Sequence, residues 1–467
     1  MAATENSDRI RTPFHRDAVV ILSDHLTNAA GVRKLKRRRS LRPTLSLTVF
    51  AGLLVTRLLV SQPQLTQAQS ATQTPSPASE VRALWVVRNT LTSPEKIHKM
   101  VESAANAGFN TLIVQVRGRG DAYYQSRREP RAAELKDQPA EFDPLAVTLA
   151  AAHQRGMKVH AWLNTSLLAN LDALPDNPKH VFNAHPEWLA VPRAVAAELY
   201  QMPPNDPRYR TRIVEWSKAN RSELEGVYTG PANSKVREHI YRIWMDIIQK
   251  YPVDGMHFDY VRLASPDFDY SRTSLEKFGH WLKPQLTASE RDAVKAAQKK
   301  DPLAATEMFK DKFGDFQRVQ ITSLVQRIYR EVKKRRPDVV VSAAVFANDE
   351  NAYTRRFQDW RRWLKMGILD VACPMAYTPD TEVFRKQIEV ASATAHEAGK
   401  KVWAGIGAYR IPAESTVEKI YVARKIGADG IILFSYDFTA TVGTLNPQGD
   451  YLDRVRRAAF DLQSAPK

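Results

Sequence analysis

Residues 155–163 read RGMKVHAWL: a helix end, a glycine, a spacer, then an apolar run rich in residues that favour strands. The phrase recurs as AGFNTLIVQV (107–116), AGKKVWAGI (398–406) and IGADGIILF (426–434). A helix that stops at glycine just before a strand is the standard connection of an α/β unit. Outward from these four phrases, the chain after Glu80 alternates short apolar runs with amphipathic segments. Strands are expected at 81–87, 111–116, 158–163, 255–259, 339–345, 369–375, 401–406 and 430–434. Most are almost continuously apolar, as strands buried on both faces of a parallel sheet are. Helices such as 94–107, 144–155 and 384–398 end at Gly108, Gly156 and Gly399. Eight such strands, seven intervening helices and a last helix after Asp450 predict an α/β fold, a (β/α)8 TIM barrel. A doubly wound sheet is the weaker expectation, because no G-x-G-x-x-G follows the first strand. Two connections are long, 164–251 after the third strand and 264–337 after the fourth. Insertions of that kind build walls beside a site. The charged stretch 289–308 is expected to be a solvated helix.

The first 79 residues are of another kind. RKLKRRRSLR (33–42) precedes the apolar run TLSLTVFAGLLVTRLLV (44–60), and SQPQLTQAQSATQTPSPAS (61–79) follows. A basic block before a short apolar run is the pattern of a signal or membrane-anchor segment, and an uncharged Gln/Ser/Thr/Pro stretch is that of a disordered linker. The expected organisation is a basic leader (1–43), a signal or anchor (44–60), a linker (61–79) and a barrel (80–463), with the barrel exported to the periplasm or cell envelope and the N-terminal segment touching the membrane if it is not cleaved.

Net charge divides the same way. Residues 1–60 carry 11 Lys/Arg against 4 Asp/Glu, a surplus of 7, which leaves +10 of the total +17 for the rest. No Lys/Arg block interleaved with aromatics lies in the body of the chain, so nucleic acid is not an expected partner. The single cysteine, Cys373, lies in an apolar run and excludes an intramolecular disulfide framework. No HExxH or paired His/Asp pattern calls for a metal, and no cofactor is expected. His160 lies mid-strand and reads as a core histidine, while His257 alternates with Asp259 along one strand.

In a barrel the chemistry lies at the C-terminal strand ends. Those ends carry carboxylates, amides and aromatics. DGMHFDYVRL (254–263) brings an apolar strand straight into Asp259, Tyr260 and Arg262. The other ends bring Trp85, then Gln115 and Arg117 with Asp121 in the following loop, Trp162 and Asn164, Tyr377, Tyr409, and Tyr436 with Asp437. Sugars offer hydroxyls to such polar groups and flat C–H faces to such rings. Cleaving a glycosidic bond needs two carboxyl groups in different environments. Asp259 is the leading catalytic candidate, with Arg262 close by to hold it ionised, and Asp437 and Asp121 compete for the second role. Trp85, Gln115, Arg117, Trp162, Asn164, Tyr260, Arg262, Tyr377, Tyr409 and Tyr436 are the expected substrate-binding set.

From Glu80 to about Asp461 the chain resembles the glycosyl-hydrolase-like 10 family of bacterial barrel proteins. The resemblance rests on EVRALWVVRN, GFNTLIVQVRGRGDAYYQS, FDPLAVTLAAAHQRGMKVHAWLN, HPEWLA, YTGPANSKVREHI, YPVDGMHFDYVRL, DFDYS, DVACPMAY and DGIILFSYD. It implies a barrel with glycosidase activity on a cell-envelope polysaccharide, peptidoglycan glycan strands first, with Asp259 as catalytic carboxylate and Asp121 on the family's GDA motif. The alternative is a non-catalytic carbohydrate-binding barrel. The chain departs from the family in an expanded basic segment (191–227) and in reading Leu263-Ala264-Ser265-Pro266 after Arg262.

Overall fold

The computed structural model describes residues 80–461 apart from Glu223. The leader, apolar run and linker expected at 1–79 lie outside the described residues. Among the described residues no helix is long and apolar enough to cross a membrane.

Ten strands form. They are β1 (Val81–Val86), β2 (Thr111–Arg117), β3 (Lys158–Asn164), β4 (Leu167–Ala169), β5 (Val227–Tyr228), β6 (Gly255–Asp259), β7 (Val340–Phe346), β8 (Val371–Met375), β9 (Lys401–Ile406) and β10 (Gly430–Phe434). Eight close into a parallel barrel in the order β1-β10-β9-β8-β7-β6-β3-β2, each paired with the next in the chain and β1 with β10. The expected (β/α)8 barrel is the fold. β4 and β5, which the sequence pattern does not announce, pair as a separate antiparallel ribbon inside the first long connection.

Local chemistry explains the helices. Ser93 and Asp143 each cap a helix whose first residue is proline, accepting from the backbone N–H of Lys96 and Ala146. Gly427 ends another helix at φ 89°, a left-handed conformation that glycine adopts without steric cost. The stretch expected as one solvated helix is two, Ala288–Gln298 and Ala304–Met308, and the first begins with a Thr287/Glu290 capping box.

Core packing divides into two layers. Alternate strand residues point inward, so Trp85, Ile113, Trp162, Ala344, Cys373, Trp403 and Ile432 fill the barrel, while their neighbours pack under the helices. Cys373 is buried there as expected, and burial pushes its thiol pKa up. His160 is buried against Trp403, its pKa pushed down to about 4 by burial, beside Gly255, where a Cβ would stand 2.3 Å from the imidazole. His257 is wholly buried, accepts from Trp85 Nε1–H (3.1 Å) and meets Ser342 Oγ (2.8 Å). Burial holds it neutral, and it ties three strands together inside the barrel.

The N-terminal face carries a repeated staple. The residue just before β2, β6, β8 and β10 accepts the backbone N–H of a residue in the preceding barrel strand. The pairs are Asn110 with Arg82 (3.0 Å), Asp254 with Val159, Asp370 with Val341, and Asp429 with Val402 (2.9 Å each). The strands are thus locked two by two on the face opposite the expected chemistry.

Candidate active site

The site grows from one register pairing. Asn164 ends β3 and Asp259 ends β6, and the two are direct neighbours across the strands. Asn164 is fixed on three sides. Trp162 Nε1–H (2.9 Å) and Gln115 Nε2–H (3.4 Å) donate to its Oδ1, and its own Nδ2–H donates to the Gly118 carbonyl (2.9 Å). Gln115 in turn accepts from the Arg88 guanidinium (3.0 Å). An amide relay therefore runs across the ends of β1, β2 and β3 and stops beside Asp259.

Asp259 is 7% exposed. Its Oδ1 accepts the Tyr260 N–H (2.6 Å) and meets Arg262 (3.3 Å), so these donors address one oxygen of the carboxyl group. Tyr260 has φ 48°, in the left-handed region. That conformation costs a non-glycine residue on the order of 1–2 kcal/mol and concentrates at functional positions. It turns the chain so that Arg262 folds back, its guanidinium 4.0 Å over the Tyr260 ring and 5.0 Å from that of Phe346. The contact with Arg262 is the expected one, but its effect is smaller than expected. Burial raises the Asp259 pKa, and the opposing pull of Arg262 and the Tyr260 N–H does not offset it. Burial thus favours the acid form of Asp259 relative to a free aspartate.

The second carboxyl group beside it is not one the sequence reading names. Arg262 reaches Glu225 Oε1 at 3.7 Å, and the Tyr228 hydroxyl donates to Glu225 Oε2. Glu225 adds to the upward shift of Asp259, where neither Asp437 nor Asp121 figures. It comes from the connection after β3, just before β5. Gly226 makes the approach possible: a Cβ there would stand 2.2 Å from the Ala169 carbonyl of β4.

Several expected site residues have other occupations. Arg117 is 2% exposed and forks onto Glu129 (2.8 and 2.7 Å) while also donating to the Asn164 and Thr165 carbonyls (3.3 Å to the latter). It is a positioning residue behind Asn164, not a substrate ligand, because its donors are consumed by a buried ion pair. Asp437 accepts from the Val87 N–H (2.8 Å), the Thr90 hydroxyl and the Ser435 hydroxyl (3.4 Å), bracing the end of β10 to the turn after β1. Asp121 accepts the Arg119 N–H (2.8 Å) and closes the turn through Gly120. Tyr436 packs in the outer layer. Neither aspartate contacts Asp259 among the described residues.

The aromatics form a floor and a wall. Trp85 and Trp162, 2% and 3% exposed, lie in the barrel layer beneath the rim. Tyr377 stands edge-on to Trp85 (6.1 Å) and to Tyr409 (5.9 Å), and is near enough to Asp259 to feel its charge. Phe434 and Phe438 extend the wall, 5.8 and 5.4 Å from Tyr409, whose buried hydroxyl has no hydrogen-bond partner among the described residues. Phe434 was legible as the last residue of an expected strand. Glu225 and Tyr228 carry no local signal beyond lying in a connection expected to wall the site.

A sequence model of the family described as Glycosyl hydrolase-like 10 matches residues 80–423. Glycosyl hydrolase DigH of Escherichia coli strain CFT073 is 24% identical over 300 residues, which are 58% of this chain and 55% of that protein. Glycosyl hydrolase YngK of Bacillus subtilis strain 168 is 22% identical over 366 residues, 70% of this chain and 58% of that one. The chain thus spans little more than half the length of these two relatives. Among solved structures, the PgaB (BpsB) glycoside hydrolase domain of Bordetella bronchiseptica superposes with a TM-score of 0.54 at 16% identity, covering 82% of this chain and 99% of that domain. That likeness concerns the fold.

Proposed function

The chain belongs to the glycosyl hydrolase-like 10 family, and on that premise we propose that its barrel is a glycosidase cleaving O-glycosidic bonds of a cell-envelope polysaccharide, the glycan strands of peptidoglycan first among them. The observation that carries this reading is Asp259: a buried carboxyl group with a raised pKa at the end of a barrel strand, between an amide relay and an aromatic wall. Asp259 gives its proton to the leaving glycosidic oxygen as the bond to the anomeric carbon breaks. Asn164 and Gln115 orient sugar hydroxyls, and Tyr377, Tyr409 and Phe434 stack on the apolar faces of the rings. Arg262 fixes the Asp259 rotamer and balances charge, and the reaction needs no cofactor.

The barrel works outside the cytoplasmic membrane, a placement supported by the basic block at 33–42, the apolar run at 44–60 and the uncharged stretch at 61–79. A C-terminal reporter that functions only outside the cytoplasm is expected to be active in the full-length chain. Activity of a cytoplasm-only reporter would contradict the placement.

The reaction is tested by mass spectrometry of products from purified peptidoglycan, with and without amidase removal of the peptides. New reducing ends on shortened strands are expected. Tight binding to intact, uncleaved strands would instead indicate a carbohydrate-binding barrel.

A further inference from the structure

We propose that Glu225 is the second carboxyl group of the reaction, the base that takes a proton from the attacking water while Asp259 protonates the leaving oxygen. The inference rests on the glycosidase reading above and adds a residue and a stereochemical outcome to it.

Three observations carry it. Glu225 is the carboxylate that shares a cation with Asp259: Arg262 meets Asp259 Oδ1 at 3.3 Å through one terminal nitrogen and Glu225 Oε1 at 3.7 Å through the other. Each oxygen of Glu225 faces a donor, Arg262 on one side and the Tyr228 hydroxyl on the other. The groups that hold it are themselves fixed. Tyr228 is 1% and Arg262 4% exposed, Tyr228 belongs to the β4–β5 ribbon, and the strand exits are joined by Thr165 N–H to the Asp259 carbonyl (2.7 Å) and Ser166 N–H to the Tyr260 carbonyl (3.1 Å).

Each carboxyl group meets a different terminal nitrogen of one guanidinium. In a single displacement a water molecule lies between the base and the sugar. In the single step, the anomeric carbon–oxygen bond breaks and its electron pair goes to the leaving oxygen, which takes the Asp259 proton. The water oxygen bonds to the anomeric carbon from the opposite face, and its proton passes to Glu225. Solvent then returns Asp259 to its acid form and Glu225 to its base form. The product has inverted configuration at the anomeric centre.

The test uses Glu225→Gln and Glu225→Ala in the full chain, on glycan strands stripped of peptides by amidase. Glu225→Gln, which keeps an acceptor oxygen, is expected to melt near the wild type, Glu225→Ala to melt lower because Tyr228 loses its acceptor, and both to keep strand binding while losing at least about 100-fold in turnover, the lower range for removing a proton-transfer group. Azide is expected to restore cleavage in Glu225→Ala, giving a glycosyl azide. NMR of the first-formed wild-type product is expected to show the inverted anomer. Near wild-type turnover in folded Glu225→Gln, or a retained anomer, would overturn the assignment while leaving the glycosidase reading in place. A wild-type protein that binds strands but cleaves none would remove the reading itself.

Discussion

Asp259 and Arg117 show how differently two strand-end residues behave once their surroundings are known. Burial raises the Asp259 pKa and Arg262 only moderates it, so the acid form persists to higher pH than for a free aspartate. A group that must be protonated to act loses activity as pH rises through its pKa. The alkaline limb of the kcat profile is therefore expected to belong to Asp259, and a profile that keeps rising to pH 9 would contradict that role. Arg117, by contrast, serves a buried pair. Arg117→Met leaves Glu129 with the His239 ring nitrogen (3.3 Å) as its hydrogen-bond partner, and should cost about 3–5 kcal/mol in urea unfolding. Removing Glu129 as well, as Arg117→Met with Glu129→Leu, should recover most of that loss. A cheap Arg117→Met accompanied by a raised KM would return Arg117 to the substrate. Asp259, Asn164 and Gln115 were legible because a strand-end position in a barrel predicts orientation. Arg117 was not, because its partner Glu129 lies in a loop whose path no local pattern specifies.

At the scale of elements, the strands and their caps were written locally, and the staples and the ribbon were not. Gly156, Gly399 and Gly427 mark helix ends within a few residues of a strand, which is why eight strands could be placed from the sequence. Asp254, Asp370 and Asp429 stand just before strands in the sequence too, but each bonds to the strand before it, and that pairing exists only once the barrel closes. Asp429→Ala would leave the Val402 N–H without its acceptor, and should cost about 1–3 kcal/mol without changing kcat. An unchanged midpoint in denaturant would show that water replaces the staple. The pKa values of Asp254 and Asp370 are lowered: burial raises them, but Lys158 and Val159 N–H overcome it at Asp254, and Lys333 and Val341 N–H at Asp370. Groups depressed in the folded state contribute stability above their unfolded pKa. That contribution is lost as pH falls through the folded values, so these two staples weaken only below about pH 4. The β4–β5 ribbon stayed hidden because β5 is two residues long, too short for any periodicity. Glu225 was hidden with it.

Across the whole molecule, the DFDYS segment joins the two long connections. Asp269, wholly buried, accepts from the Val191 N–H of the first connection (3.1 Å) and from the Ser271 N–H (2.9 Å) of its own. Burial pushes its pKa up to about 6. A raised folded pKa gives stability that is full below the unfolded value and is lost as pH rises through about 6. Asp269→Asn keeps the acceptor oxygen and removes the charge, so its melting temperature relative to wild type should rise between pH 4 and pH 8. A parallel course for both proteins would show that the carboxyl group does not titrate in that window. This coupling matters because Glu225 reaches the site only if the first connection is held in place. In the proposed reaction a glycosidic bond breaks at Asp259. Its most direct test is the turnover of Asp259→Asn on peptide-free glycan strands, followed by mass spectrometry of released fragments beside strand binding and melting temperature. At least about 100-fold lower turnover, with binding and folding intact, is the expected result; near wild-type turnover would take Asp259 out of the mechanism.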